Sequence, residues 1–179
     1  MSDEIMLRPV TADDLDLFER EFSGPEGTGP YQWFGFGSSA GLRREFTETG
    51  LLSADAGVLS VAEAGRTVGR VEWCAGTWGR PSTSTCWTLA IGLVPAAHGR
   101  GIGTQAQRLL AEYLCDHTRT ERLQAWTDCA NLAEQRALEK AGFVREGVLR
   151  SAQWRGGRWH EQVIFSMLRA ERPGGEPAQ

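Results

Sequence analysis

A strand, a glycine-rich loop and a helix follow one another between Leu89 and Leu114, and this segment constrains the fold more than any other. The apolar run Leu89–Val94 predicts a strand that Pro95 ends. Glycines follow at Gly99, Gly101 and Gly103. Apolar residues then recur at helical spacing, at Ile102, Ala106, Leu109, Leu110, Tyr113 and Leu114. The unpaired N–H groups of a helix start, together with the helix dipole, bind phosphate, so the segment predicts a site for a phosphorylated cofactor.

The glycine spacing alone leaves the cofactor open. Gly101-x-Gly103-x-x-Ala106 nominally fits the fingerprint of dinucleotide-binding proteins, which keeps an NAD(P)-binding oxidoreductase as an alternative. That fold needs a tight turn directly after the strand and further strand–helix units. Here about six residues separate strand from glycines, and about fifty residues follow the next strand. The loop also lacks the Gly-Lys-Ser/Thr sequence of a nucleotide P-loop.

Two motifs favour a different cofactor. The segment His98–Gly103 resembles the acetyl-CoA loop of the GNAT superfamily of N-acetyltransferases, written Gln/Arg-x-x-Gly-x-Gly/Ala, with histidine at its first position. Asn131, followed by Ala141-Gly142-Phe143, resembles the second signature of that family. The opening, Leu7–Asp14, resembles the first strand and helix cap of that family, and the end, from Phe143 to Leu168, resembles its RimJ/RimL-like branch. The resemblance implies an α+β fold, with a mostly antiparallel mixed sheet, a splayed parallel pair and flanking helices.

The resemblance also implies which residues bind coenzyme A. The strand residues Ile91, Gly92 and Leu93 would hydrogen-bond the pantetheine arm, and the Leu93 N–H would stabilise the developing oxyanion. The loop would hold the pyrophosphate through His98, Gly99, Arg100, Gly101, Ile102 and Gly103. Arg100 could pair with a phosphate oxygen or remain a solvated surface residue. Asn131 would contact the cofactor, although a helix N-cap is the alternative, with Glu134 completing a capping box.

Proton transfer has several candidates. Many family members protonate the leaving thiolate with a tyrosine that corresponds to Leu138, and others use a serine that corresponds to Glu134. Glu134 is therefore a candidate general acid, provided that desolvation raises its pKa. Candidate bases for the attacking amine are Glu72 and Asp128. A covalent route through Cys129, which precedes a helix, is the mechanistic rival.

The acceptor pocket would lie beside the early aromatic loop and the final hairpin. Its expected residues are Trp33, Phe34, Glu72, Trp87 and Trp154, and His160 and Glu161 could bind the polar end of an acceptor. The expected activity is direct transfer of an acetyl group to a primary amine of a small molecule or a protein N-terminus. A catalytically inactive acyl-CoA-binding sensor remains an alternative.

Composition narrows the class of protein. The 179 residues, 41% of them hydrophobic, suit one domain over residues 1–172 with a disordered tail over 173–179. There is no apolar run long enough to span a membrane, and a net charge of −4 argues against nucleic acid. The four cysteines form no C-x-x-C pair, so we expect reduced thiols in a cytoplasmic protein. A homodimer stays open.

Local patterns predict the remaining elements. Gly24–Gly41, rich in glycine and aromatics, is expected to be a loop before a short helix over Leu42–Leu52. Hairpins are expected around Ala64-Gly65-Arg66 and around Gly156-Gly157. The first helix is expected to follow an N-cap at Thr11, with Asp13 and Asp14 in its first turn. The other expected strands and helices are Met6–Val10, Val58–Glu63, Thr67–Trp73, Trp87–Val94, Leu123–Thr127, Leu132–Lys140, Val148–Arg155 and Trp159–Leu168.

Overall fold

One seven-stranded sheet and five helices make up the part of the chain that the computed structural model describes, residues 4–172. The predicted tail 173–179 lies outside these residues. The strands are β1 (Ile5–Pro9), β2 (Ala56–Glu63), β3 (Arg66–Thr77), β4 (Thr85–Leu93), β5 (Arg122–Asp128), β6 (Val144–Arg155) and β7 (Arg158–Leu168). The helices are α1 (Ala12–Phe22), α2 (Pro25–Gln32), α3 (Ala40–Thr49), α4 (Ile102–His117) and α5 (Leu132–Ala141).

The sheet is mixed, and one parallel pair interrupts its antiparallel order. The strands follow the order β1-β2-β3-β4-β5-β7-β6, and only β4 and β5 run parallel. These two strands are joined at Trp87–Leu123 and Thr88–Gln124, and their pairing ends there. The remaining lengths of β4 and β5 separate toward their carboxyl ends. The predicted α+β fold with a splayed parallel pair is thus confirmed.

Helix α4 covers one face of the sheet and supplies much of the core. Its fully buried Leu110 and Leu114 pack among Val71 of β3 and Phe165 of β7. Their spacing of four residues places them on one helical face, as the sequence pattern predicted. Burial of each such side chain contributes about 2 kcal/mol to folding. This packing fixes the start of α4 against the end of β4.

The opposite face is covered by α1 and α3 around a second, smaller cluster of apolar side chains. Thr11 is the N-cap of α1, and its backbone N–H donates to Asp14 Oδ2 at 2.8 Å. The buried Asp14 also accepts hydrogen bonds from Arg8 and Ser60. This network ties α1 to β1 and β2, and the side chain of Phe22, at the end of the helix, reaches Gly92 of β4.

The structure corrects the prediction that Gly24–Gly41 is a loop, because α2 occupies its first half. Pro25 suits the first turn of a helix, and the Thr28 hydroxyl donates to Gly24 O at 2.9 Å. The helix is broken at Gly29, whose φ of 71° lies in the left-handed region. Glycines lower helix propensity in the sequence, and tertiary contacts of the segment, described below, outweigh that cost. Within residues 4–172, no helix is long and apolar enough to cross a membrane.

Candidate active site

The gap between the splayed strands exposes backbone groups of β4. Ile91 O accepts a hydrogen bond from the Gln32 side chain at 3.3 Å, and Leu93 O accepts one from His98 Nε2 at 3.0 Å. Val94 N–H donates instead to Val68 O of β3. Because backbone groups alternate in direction along a strand, Ile91 and Leu93 present their N–H and C=O groups to the gap. The Gly92 N–H points to β3, so that residue contributes space rather than a donor.

The glycine loop leaves a set of backbone donors open at the start of α4. Gly99 and Gly101 have φ values of 71° and 80°, which favour glycine. Gly101 is the N-cap, and the first helical bond runs from Gln105 N–H to Gly101 O. The N–H groups of the helix residues before Gln105, from Ile102 to Thr104, therefore have no acceptor within α4. Such a cradle suits a phosphate group.

Two side chains of the loop differ from their predicted roles. Ile102 is 2% exposed and belongs to the core, so only its backbone faces a ligand. The Arg100 guanidinium makes two hydrogen bonds to the Glu63 carboxylate, at 2.9 and 2.7 Å. The guanidinium is therefore paired within the protein, while 47% of the Arg100 side chain stays exposed, in agreement with the alternative of a surface residue.

A cavity of about 340 Å³, here called the loop-side cavity, extends from the glycine loop along the gap. Its walls include His98, Gly103, Leu93 and, across the gap, Asn131. The Asn131 side chain accepts from Glu134 N at 3.3 Å and donates to Thr127 Oγ1 at 3.0 Å. Asn131 is thus a helix N-cap that also lines the cavity, and the two predicted roles are compatible.

Glu134 does not complete the predicted capping box. Its carboxylate accepts a hydrogen bond from Gln107 Nε2 at 2.9 Å, and the Asn131 N–H donates to Asp128 O instead. Burial raises the pKa of Glu134 to about 7, and the Gln107 hydrogen bond only partly opposes that rise. Glu134 lines the cavity, whereas Leu138, at the tyrosine position, is buried in the core. The expected desolvation of Glu134 is therefore present.

A larger opening of about 700 Å³, the sheet-side cleft, is continuous with the loop-side cavity because Ile91, Gln32 and Glu134 line both. Trp33 and Phe34 lie in its wall, as predicted residues of the acceptor pocket. Glu72 lies there too, with its Oε1 2.6 Å from Arg70 Nε. Strand alternation places Arg70 and Glu72 on the same face of β3.

Two predicted acceptor residues lie elsewhere. Trp87 packs against the core beneath α4, and its Nε1 donates to Thr118 Oγ1 at 3.1 Å. Trp154 stacks edge-to-face on Trp159 near the tip of the final hairpin. Alternation defines two faces of a strand but does not say which one borders the cleft, so this error has a simple origin.

Sequence reasoning missed several residues of the cleft wall, namely Arg70, Trp126, Gln153 and Gln162. Arg70 was detectable in principle, because it is two residues from Glu72 and must share its face. The glutamines carried no such signal, because they come from paired strands of a hairpin with irregular register.

Asp128 is held by a buried ion pair. Its Oδ2 lies 2.6 Å from Arg155 Nη2 and 3.4 Å from His160 Nδ1, and Oδ1 accepts from Ala130 N. Burial alone would raise the pKa of Asp128, but the hydrogen bonds from Ala130 and Arg155 outweigh it and lower the pKa. Arg155 also donates to Tyr31 O at 3.2 Å, so the cluster anchors the end of α2. These contacts indicate a structural role for Asp128.

Cys129 lacks the activation that a nucleophile needs. Burial raises the pKa of its thiol, and the nearby Glu161 and Asp128 carboxylates raise it further. A helix start was expected to lower this pKa, but the surrounding negative charge has the larger effect. Residues 4–172 contain no group of three or more histidine, cysteine or acidic side chains that could hold a metal ion.

Comparison with known proteins gives the family. A family model described as an acetyltransferase (GNAT) domain matches residues 4–144, so the chain belongs to the GNAT family. A probable N-acetyltransferase of Bacillus subtilis, YjcK, is 36% identical over 73 residues, which are 41% of this chain and 40% of the relative. The dinucleotide-binding alternative finds no support in these matches.

Solved structures agree on the fold. RimL, a ribosomal L7/L12 alpha-N-protein acetyltransferase in complex with coenzyme A, superposes with a TM-score of 0.76 at 14% identity, covering 93% of this chain and 95% of that one. The spermidine N-acetyltransferase of Vibrio cholerae with coenzyme A and spermine gives 0.78 at 18% identity, covering 94% and 97%. Mycobacterium smegmatis RimJ with a coenzyme A disulfide gives 0.77 at 19% identity, covering 94% and 84%.

Coenzyme A is accordingly the cofactor of this fold, and the residues present fit it. The open N–H groups at the start of α4 suit its pyrophosphate, and the Ile91 and Leu93 backbone groups suit its pantetheine amides. The loop-side cavity connects these two sets of groups.

Proposed function

We propose that the protein is an acetyl-CoA-dependent N-acetyltransferase that acetylates a primary amine of a small molecule or a protein N-terminus. The observation that carries the proposal is the continuity of the loop-side cavity with the sheet-side cleft at Glu134 and the Ile91 backbone. When bound, acetyl-CoA would supply an activated acetyl thioester. Relatives of the same fold include acetyltransferases named for spermidine and for a ribosomal protein, which supports both acceptor classes.

The Leu93 N–H is the proposed donor to the thioester oxygen. It faces the gap, as the contact of Leu93 O with His98 indicates. A preorganised donor of this kind commonly contributes about 3 kcal/mol to transition-state stabilisation. Because the donor is a backbone group, the strand itself fixes its position.

Glu72 is the proposed base for the attacking amine. It faces the sheet-side cleft and about two fifths of its side chain is exposed, so an acceptor can reach it. Asp128 is the weaker candidate, because its ion pair with Arg155 is buried and its pKa is lowered, whereas the pair of Glu72 with Arg70 is partly exposed. Protonation of a group held in this way is disfavoured.

Glu134 is the proposed acid for the departing thiolate. A pKa of about 7 leaves a substantial protonated fraction at neutral pH, which a general acid requires. Glu134 lines both the loop-side cavity and the sheet-side cleft, which supports this role.

The test is release of free thiol from acetyl-CoA across a panel of amines, with variants in the two carboxylates. Glu72→Gln should lower turnover at neutral pH, and the loss should shrink as pH rises and the amine deprotonates unaided. Glu48→Gln, on an exposed part of α3, is the matched control. Binding of acetyl-CoA without turnover of any amine would instead support an inactive sensor.

A further inference from the structure

Arg70 lies beside the proposed base on the floor of the sheet-side cleft. Its Nε is 2.6 Å from Glu72 Oε1, and its guanidinium carbon lies 5.3 and 5.2 Å from the ring centres of Phe18 and Phe22. An arginine held over aromatic rings keeps a fixed orientation, because the stacking and the ion pair restrict the same side chain. Arg70 is therefore a preorganised part of the cleft.

The terminal nitrogens of Arg70 remain available to a ligand. Only its Nε meets Glu72, and within residues 4–172 the Nη atoms make no side-chain hydrogen bond. Arg70 lines the cleft directly, with a quarter of its side chain exposed. A guanidinium in this state offers several N–H donors to a carbonyl or carboxylate oxygen.

The remaining charges of the cleft restrict what else can bind. Four acidic residues line it, Glu19, Glu72, Asp128 and Glu134. Glu19 is paired with Arg43, and Asp128 with Arg155. Burial raises the pKa of Glu134 to about 7, so a substantial fraction of this group is uncharged near neutral pH. Glu72 is also paired, but its partner Arg70 lines the cleft itself, so the described cleft offers a carboxylate and a cation side by side. This arrangement matches an ammonium group next to an oxygen acceptor.

We propose that Arg70 determines acceptor specificity by binding the oxygen of a carbonyl or carboxylate group adjacent to the amine that is acetylated. In an α-amino compound, three covalent bonds separate the amine nitrogen from that oxygen. The amine can then lie at Glu72 while the oxygen lies at Arg70. The acceptor class is an amino acid or the N-terminus of a peptide rather than a linear polyamine, whose additional ammonium groups Arg70 repels. This inference rests on the proposed function.

The experiment compares acceptors that differ only in the oxygen-bearing group: phenylalaninamide for a peptide N-terminus, phenylalanine for a free amino acid, and phenethylamine, which has neither. The kcat/KM of each is measured by thiol release in the wild type, in Arg70→Met and in Arg70→Lys. Methionine keeps apolar contact with the phenylalanine rings, and lysine keeps the positive charge but lacks the planar guanidinium group with its paired N–H donors. Unfolding in urea first establishes that each variant is folded.

The expected result is that the ratio of phenylalaninamide or phenylalanine to phenethylamine falls about tenfold in Arg70→Met, since a hydrogen bond to a charged group has this strength. The basicity of each amine cancels because the ratios are compared between enzymes. A larger fall of the ratio for phenylalaninamide indicates that Arg70 binds a peptide carbonyl, and a larger fall for phenylalanine indicates a free carboxylate. An equal loss for all three would overturn the proposal, because Arg70 would then act only through Glu72.

Preference of the wild type for a linear polyamine over all three aromatic amines would also overturn it. Absence of thiol release with every amine, despite measured binding of acetyl-CoA, would instead overturn the proposed function on which it rests.

Discussion

Replacement of Glu134 by glutamine should stabilise the protein in a pH-dependent way. The carboxylate is buried against Gln107 and has a pKa of about 7, compared with 4.5 for an ordinary glutamate. The folded protein therefore binds this proton more tightly than the unfolded chain does. The contribution of Glu134 to stability should be fully present below pH 4.5 and should be lost as pH rises through 7. At about 1.4 kcal/mol per pH unit, the whole fall is about 3 kcal/mol.

Urea unfolding of the wild type and of Glu134→Gln at pH 5 and pH 8 measures this quantity. The variant cannot ionise at this position, so its advantage over the wild type should grow by up to about 3 kcal/mol between the two pH values. Other titrating groups cancel in the difference. Glu139→Gln, on the exposed side of the same helix, should show no such growth. A Glu134→Gln advantage that is equal at both pH values would refute the argument that burial destabilises this carboxylate.

Gly103→Val should weaken coenzyme A binding about tenfold in calorimetry, whereas Gly103→Ala should keep most of the affinity. A Cβ at position 103 would lie 3.7 Å from the Leu93 side chain, which is an ordinary contact, so only the larger valine must displace that side chain. Equal affinities of the valine and alanine variants for coenzyme A would contradict this reasoning. Asp128→Asn should lower the free energy of unfolding by about 3 kcal/mol in urea, since it leaves the Arg155 guanidinium buried without its counter-charge, and a negligible change would exclude that role. Cys129→Ala should retain most activity with intersecting initial-velocity lines, because the raised pKa of the thiol disfavours a thiolate; an acetyl adduct on Cys129 would instead establish a covalent route.

The sequence was sufficient for the features that depend on local geometry. Gly99 and Gly101 adopt positive φ, which few other residues tolerate, and the spacing from β4 to α4 identifies the loop between them. The splayed pair was anticipated from the resemblance to the GNAT family. Glu134 was placed correctly near a helix start, but its burial was only a condition of the acid role, and the capping box weighed against it does not form.

Long-range pairing was not predictable in the same way. Arg100 meets Glu63 across 37 positions of sequence, and Arg155 meets Asp128 across 27. A charged residue gives no local sign of which partner the fold will bring near it. For Trp87, the alternation of the strand was evident, but the face covered by α4 depends on the packing of the whole sheet.

The short pairing of β4 with β5 divides the sheet into two parts, β1–β4 and β5–β7, which are hydrogen-bonded to each other at two residue pairs. Its two backbone pairs are reinforced by the buried Gln124, whose side chain donates to Thr88 Oγ1 at 3.0 Å and accepts from Trp78 Nε1 at 2.6 Å. Beyond these pairs β4 and β5 diverge. A small rotation of one part of the sheet against the other therefore becomes a larger displacement at Leu93 and Asn131. The paired residues do not line the loop-side cavity, yet they set the distance between β4 and β5 that this cavity spans. The width of the cofactor site thus depends on how β4 and β5 pair near their amino ends.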